Sequence, residues 1–200
     1  MEIVLENLTK RYDAVTALPR LSARLPVGET TCVLGPSGCG KTTLFRLLMG
    51  LEMPSGGRFY GMPKSVSAVF QEDRLLPKFS AVTNIRLATG NRVSEEEIYK
   101  VLEELGLSRW ERTPAEALSG GMGRRAAIAR ALLYPAEAVL MDEPFKGLDE
   151  KTKEQVMDCV KRRTKGKTLL LITHEEGEAA FFGGHVLRMG KACPLEEKEK

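Results

Sequence analysis

No stretch of the 200-residue chain approaches the roughly 18 consecutive apolar residues of a membrane-spanning helix; its strongest local run, Leu169 to Ile172, is strand-sized. The chain is therefore not expected to cross a membrane by itself. The opening segment Met1-Glu2-Ile3-Val4-Leu5-Glu6 lacks the basic start and long apolar centre of an export signal, which makes the cytoplasm the expected compartment. Cysteine is scarce and unpatterned: Cys32, Cys39, Cys159 and Cys193 form no C-x-x-C pair and no metal-ligand spacing, so free thiols are expected. A dominant charge is missing too. Lys and Arg total 30 against 27 Asp and Glu, a net charge of +3 without the dense basic stripe of a nucleic-acid binder, so nucleic acid is not an expected partner. Internal repeats are absent, and the only biased stretch is the charged end from Glu196 to Lys200, expected to be a solvated tail. What is present is 42% hydrophobic and 28% charged residues, ordinary for a soluble chain of one domain or one core with an inserted lobe.

Strand-like and helix-like segments alternate, the pattern of an α/β fold with a largely parallel sheet. The β-branched segment Glu29 to Leu34 runs into a Gly-rich turn, Gly35 to Gly40, and a helix is expected from Lys41 to about Gly50. Ala138 to Met141 and Thr168 to Thr173 read as strands buried on both faces, the first stopping at Asp142-Glu143-Pro144 and the second at His174. Polar residues thus collect at the C-terminal edge, where open α/β sheets bind ligands. The middle third is helical in pattern. Ser94-x-x-Glu97 is a capping box, Ile98, Val101, Leu102 and Leu105 follow at helical spacing, and Gly106 supplies a stop. Thr113-Pro114-Ala115-Glu116 predicts another capped helix start, and a longer helix is predicted from about Gly120 to Leu133, before Pro135. The pairs Glu103-Glu104 and Arg124-Arg125 read as solvated helix faces.

Gly35-Pro36-Ser37-Gly38-Cys39-Gly40-Lys41-Thr42 matches G-x-x-x-x-G-K-[ST] in the required context of strand before and helix after. Its glycines let the backbone curl into a nest of N–H groups, and the following helix presents its positive end to the same point. Lys41 is then placed to neutralise the β- and γ-phosphates, and the Thr42 hydroxyl to ligate Mg²⁺. Cys39 lies inside this loop beside Lys41, so thiol alkylation is expected to block nucleotide binding. Asp142 and Glu143, side by side at a strand end, suit a site in which one carboxylate helps hold Mg²⁺ and the other takes a proton from water. Leu118-Ser119-Gly120-Gly121-Met122 again has a hydroxyl and glycines opening a helix, a second anion site in one chain. No [NT]KxD guanine-selecting motif is present.

Together these segments resemble the ATP-binding cassette ATPases over nearly the whole chain. Walker A is Gly35 to Thr42 with Thr43 following, the signature is Leu118 to Met122, and Walker B is Ala138 to Glu143. Gln71 after Ser67 to Phe70 resembles the Q-loop, Gly147-Leu148-Asp149 the D-loop, His174 the switch histidine, and Tyr12 the aromatic that stacks on adenine. The resemblance implies a P-loop NTPase (RecA-like) core with an antiparallel β edge, at about 1–71 and 131–200, and an inserted helical subdomain at about 72–130. It implies two ATP molecules between two head-to-tail cassettes, a homodimer in the simplest case, each held by one chain's Walker A and the other's Ser119, Gly120 and Gly121. Glu143 would be the general base, His174 would align the γ-phosphate and water, Gln71 would contact Mg²⁺ and report nucleotide state, Thr42 and Asp142 would hold the metal, and Asp149 would cross the dimer interface. The segment Val69 to Pro77 resembles the Q-loop region of importers for nitrate, sulfonates and taurine. That implies transmembrane permease subunits, an extracytoplasmic substrate-binding protein, and a location on the inner face of the cell membrane. Two departures stand out. Met122 replaces the usual Gln, and Lys146-Gly147 a more usual Ser-Ala pair. The chain ends soon after the expected strand His185 to Met189, so no C-terminal regulatory domain is expected.

Overall fold

The computed structural model describes residues 1–190; the charged end and Cys193 lie outside the described residues. The chain begins with two long antiparallel strands, β1 (Glu2–Tyr12) and β2 (Val15–Pro26), which with β4 (Gly56–Tyr60) form a three-stranded sheet of order β2-β1-β4. Register shifts between Leu5 and Leu8 and between Leu8 and Lys10 interrupt the β1–β2 pairing. Such irregularities bend and twist a strand.

The second sheet is parallel and has five strands in the order β5-β6-β7-β3-β8: β5 (Val66–Val69), β6 (Ala138–Asp142), β7 (Thr168–Thr173), β3 (Thr30–Leu34) and β8 (His185–Arg188). Every residue of β6 and β7 is buried. Their unbroken apolar runs follow from having both faces covered. Val139, Met141, Leu169 and Leu171 point into one core, shared with the helices α4 (Gly120–Leu133) and α5 (Glu150–Arg163). Ala138, Leu140, Leu170 and Ile172 point into a second, with α1 (Lys41–Leu48) and the antiparallel sheet. The period-2 alternation of a strand divides one run between two cores.

Between β5 and β6 the chain is helical: α2 (Ala81–Thr89), α3 (Glu95–Glu104), a 3₁₀ turn (Ala115–Ala117) and α4, with α6 (Glu176–Phe182) following β7. Serine opens three of these helices. Ser80, Ser94 and Ser119 are extended and accept the backbone N–H three residues on, satisfying one of the donors a helix start leaves unpaired. The expected helix start at 113–116 is only the 3₁₀ turn. Pro114 sits at its cap, not at its first residue, and Ala117 and Leu118 close back on Pro114 and Ala115.

Candidate nucleotide site

β3 delivers the chain into the loop 35–40 at the C-terminal edge of the parallel sheet. Gly38 and Gly40 have φ of 79° and 97°, the left-handed region in which a side chain is strained. A Cβ on Gly40 would lie 2.5 Å from the Ala17 carbonyl oxygen, and one on Gly35 would lie 2.6 Å from that of Met189, so the loop is clamped between β2 and the end of β8. Lys41 opens α1 and is only 6% exposed; its Nζ donates to the carbonyls of Gly35 (2.6 Å) and Pro36 (3.0 Å). The ammonium therefore lies over the loop that the sequence assigns to phosphate. Cys39 Sγ is 3.9 Å from Lys41 Nζ, but the thiol is 1% exposed. Alkylation there requires the loop to open, which the sequence reading did not foresee.

Asp142 ends β6 and is 3% exposed. Burial pushes its carboxyl above the ordinary range, while the neighbouring Thr42 hydroxyl and the charge of Lys41 pull the other way. A buried carboxylate beside a hydroxyl at the end of the phosphate loop is a donor set that fits Mg²⁺. Glu143 follows with φ of 47°, an uncommon conformation for a residue with a side chain, held by its N–H donating to Ile172 O at 2.9 Å. Both of its carboxylate oxygens have partners: His174 Nδ1 lies 3.3 Å from Oε1, and Lys146 Nζ donates to Oε2 at 2.9 Å. Burial opposes ionisation of Glu143, yet Lys146 and His174 outweigh it and hold the carboxyl below its ordinary value. His174 also lines a cavity of about 370 Å³ together with Gly35 and Pro36.

The structure thus brings Lys41, Thr42, Asp142, Glu143 and His174 to one sheet edge, with Pro36 and Ser37 on the loop crest. Tyr12, at the end of β1, is near the same loop: its hydroxyl hydrogen-bonds Glu52 and approaches Thr43, and Lys10 lies 5.0 Å from its ring centroid. Gln71 is exposed just beyond β5. Ser119 caps α4, Gly120 borders open space, and a Cβ on Gly121 would meet Leu148 at 3.3 Å, so the signature turn packs against the D-loop. Met122 packs against the core beside Leu118 and Leu148. Asp149 caps α5 by accepting the Thr152 N–H at 3.0 Å.

Of the four residues read as solvated, three are engaged instead. Glu104 accepts from Arg162 (2.9 Å) and twice from Arg163 (2.8 Å each). Arg125 donates to the carbonyls of Gly121, Leu105 and Gly106, closing the end of α3 onto α4. Arg124 donates to Phe70 O and Gln71 O. Only Glu103 retains the solvated reading. The missed signal was opposite charge adjoining two motifs, Asp73 after Gln71 and Arg124 after the signature, whose meeting depends on tertiary structure.

The ABC transporter family profile matches residues 18–146. Among curated proteins, the aliphatic sulfonates import ATP-binding protein SsuB 2 of Pseudomonas syringae pv. tomato is 38% identical over 183 residues, covering 90% of this chain and 79% of that one. Among solved structures, the dimeric form of the bacterial ABC transporter cassette MJ0796 superposes with a TM-score of 0.84 at 29% identity, covering 94% of each chain. The same cassette in a post-hydrolysis state bound to ADP and phosphate gives 0.82 at 30% identity, again over 94% of each. Sequence, fold and the clustering of phosphate-loop, carboxylate and histidine side chains agree, and the chain belongs to the ATPases of the ABC transporter family.

Proposed function

We propose that the chain is the ATP-hydrolysing subunit of an importer and that hydrolysis runs through Lys41, Thr42, Asp142, Glu143 and His174. The observation that carries this reading is the meeting of the Glu143 carboxylate with His174 beside the Lys41 loop, with the Thr42–Asp142 pair alongside. The loop N–H groups of 36–43 and the end of α1 would hold the ATP phosphates. Thr42, Asp142 and Gln71 would hold Mg²⁺, which supplies charge neutralisation on the β- and γ-phosphates. Glu143 accepts a proton from the attacking water, whose oxygen bonds to the γ-phosphorus as the bond to the ADP oxygen breaks. His174 orients the water and the transferring group, and Tyr12 stacks on adenine.

In the same reading, Ser119, Gly120 and Gly121 complete the γ-phosphate site of a second copy in a head-to-tail homodimer, and Asp149 lies at that contact. The stretch 72–130 acts as a helical lobe against transmembrane permease subunits, which an extracytoplasmic binding protein supplies with substrate. No helix among the described residues is long and apolar enough to cross a membrane. Membrane work then falls to partner chains, with this one at the inner face. The import of aliphatic sulfonates named for the relative sets the substrate class to test first.

Replacing Glu143 by Gln removes the proton acceptor while keeping its shape. Turnover is expected to fall about 10²–10⁴-fold with ATP binding retained. Equal turnover in the two chains would remove Glu143 from this role, and failure to co-purify with co-expressed permeases would remove the importer reading.

A further inference from the structure

β5 ends at Val69, and the next carbonyls have no strand to accept from. Two arginines of α4 take them. Arg124 donates through Nη1 to Phe70 O at 2.5 Å and through Nη2 to Gln71 O. Arg130 donates to Asp73 O (2.9 Å) and Arg74 O (2.6 Å). The Arg124 side chain is 11% exposed, and its Nε faces Asp73 Oδ1 at 3.2 Å. Gly123 lies against this pair: a Cβ there would be 3.0 Å from Asp73 Oδ2, a tight contact. A guanidinium fork gripping successive carbonyls is a rigid connection that a point charge cannot make. The fork stands one turn beyond Gly120 and Gly121 on the same helix, whose first residue follows the Ser119 cap.

We propose that Arg124 is a positioning residue for hydrolysis: it locks the Gln71 loop to the signature helix, so that Gln71 and the turn 119–121 shift as one body. The inference rests on the ATPase reading above. In a head-to-tail pair, Gln71 faces the nucleotide of its own chain and 119–121 the nucleotide of the other, so this lock carries the state of one site to its neighbour. A helix that opens with the signature turn and is tied one turn later to the Gln71 loop is the kind of element that transmits such a shift.

The test uses the full chain with three measurements: thermal stability, the Kd of a fluorescent ATP analogue, and ATP turnover with its Hill coefficient. For Arg124→Ala, kcat is expected to fall about 10–100-fold through misplacement of Gln71, while the Kd, set by the intact Walker A loop, changes less than about 3-fold. The Hill coefficient falls toward one. Unchanged kcat overturns the inference, and so does a loss of kcat matched by an equal loss of affinity, which marks general loosening. Arg124→Lys keeps a charge opposite Asp73 but loses the fork, so it is expected to remain at least about 5-fold impaired; full rescue by Lys overturns the inference. Should the Ala chain fail to fold, the Lys chain decides alone. Absence of turnover in the wild type would instead overturn the ATPase reading itself.

Discussion

Lys146 holds the candidate base from three residues away, its Nζ 2.9 Å from Glu143 Oε2, in a place where the family resemblance leads one to expect serine. The pairing makes the base easier to ionise and therefore weaker. Burial alone would raise the Glu143 carboxyl, and it is Lys146, with His174, that brings it below its ordinary value. A base with a depressed pKa stays ionised to lower pH, so its acid limb lies further into acid. Lys146→Ser is expected to move that limb of the kcat profile to higher pH, with turnover near pH 5 falling relative to wild type and turnover near about pH 7–8 held or increased. A limb that stays in place would show that Lys146 leaves the base when nucleotide binds. Thiol chemistry gives an independent check at the same scale. Burial, with a smaller contribution from Glu178, pushes Cys32 up to about 11, and burial with the Glu104 contact does the same for Cys159. Both should resist alkylation at neutral pH until the chain unfolds, whereas Cys39 should react when the phosphate loop opens and be protected by ATP.

Between elements, the ion pairs of α3 and α5 do what two amphipathic helices cannot do by apolar packing alone. Arg163 bridges Glu104 (2.8 Å) and Glu97 (2.8 Å), and the hydrogen bonds of Arg163, opposed by burial and aided by Arg162, bring the Glu104 carboxyl from its ordinary 4.5 to about 2. At ~1.4 kcal/mol per unit this is at most about 3 kcal/mol, and solvent screening of a partly exposed pair reduces it to about 1–2 kcal/mol. Because the folded-state value is depressed, that stability is present above 4.5 and is lost as pH falls toward 2. Glu104→Gln should therefore lower the urea midpoint at neutral pH, with the gap to wild type closing as the solution is acidified. A gap that stays constant with pH would mean the loss is one of packing. This pairing was illegible in the sequence, as was the Arg124 fork, because charges at residues 104 and 163, or 73 and 124, meet only after the sheet has formed. The strands β6 and β7 were legible, since an apolar run buried on both faces carries its own signal and ends in polar residues at the binding edge, and β3 was legible from β-branched residues leading into a Gly-rich turn. So were the starts of α3 and α4, where serine caps act locally. The antiparallel sheet was expected only through the family resemblance, because the register shifts of β1 break the alternation that would have revealed it.

At the scale of the whole molecule, the central question is where a complete nucleotide site resides. Lys41, Thr42, Asp142, Glu143 and His174 converge on one sheet edge, whereas Ser119 opens α4 in the helical stretch, where its hydroxyl accepts from its own helix. Gly120 at that turn borders open space, so the turn is free to receive an anion from outside the chain. If the site is shared between two copies, two chains damaged in different halves should repair each other. Lys41→Ala destroys the phosphate loop but leaves the signature turn; Ser119→Glu places a negative charge at the signature turn but leaves the loop. Each alone should form dimers with no complete site and turn over ATP at background. Mixed in equal amounts, about half of the dimers carry one of each, and each of these has one intact loop facing one intact turn, so activity should return to about a quarter of wild type if the two sites work independently. If both must fire together, the mixture stays inactive although nucleotide is still bound at the intact loop, and a binding measurement on the same mixture separates that outcome from loss of folding. Substantial turnover by Ser119→Glu alone would place the whole site within one chain and would overturn the head-to-tail arrangement.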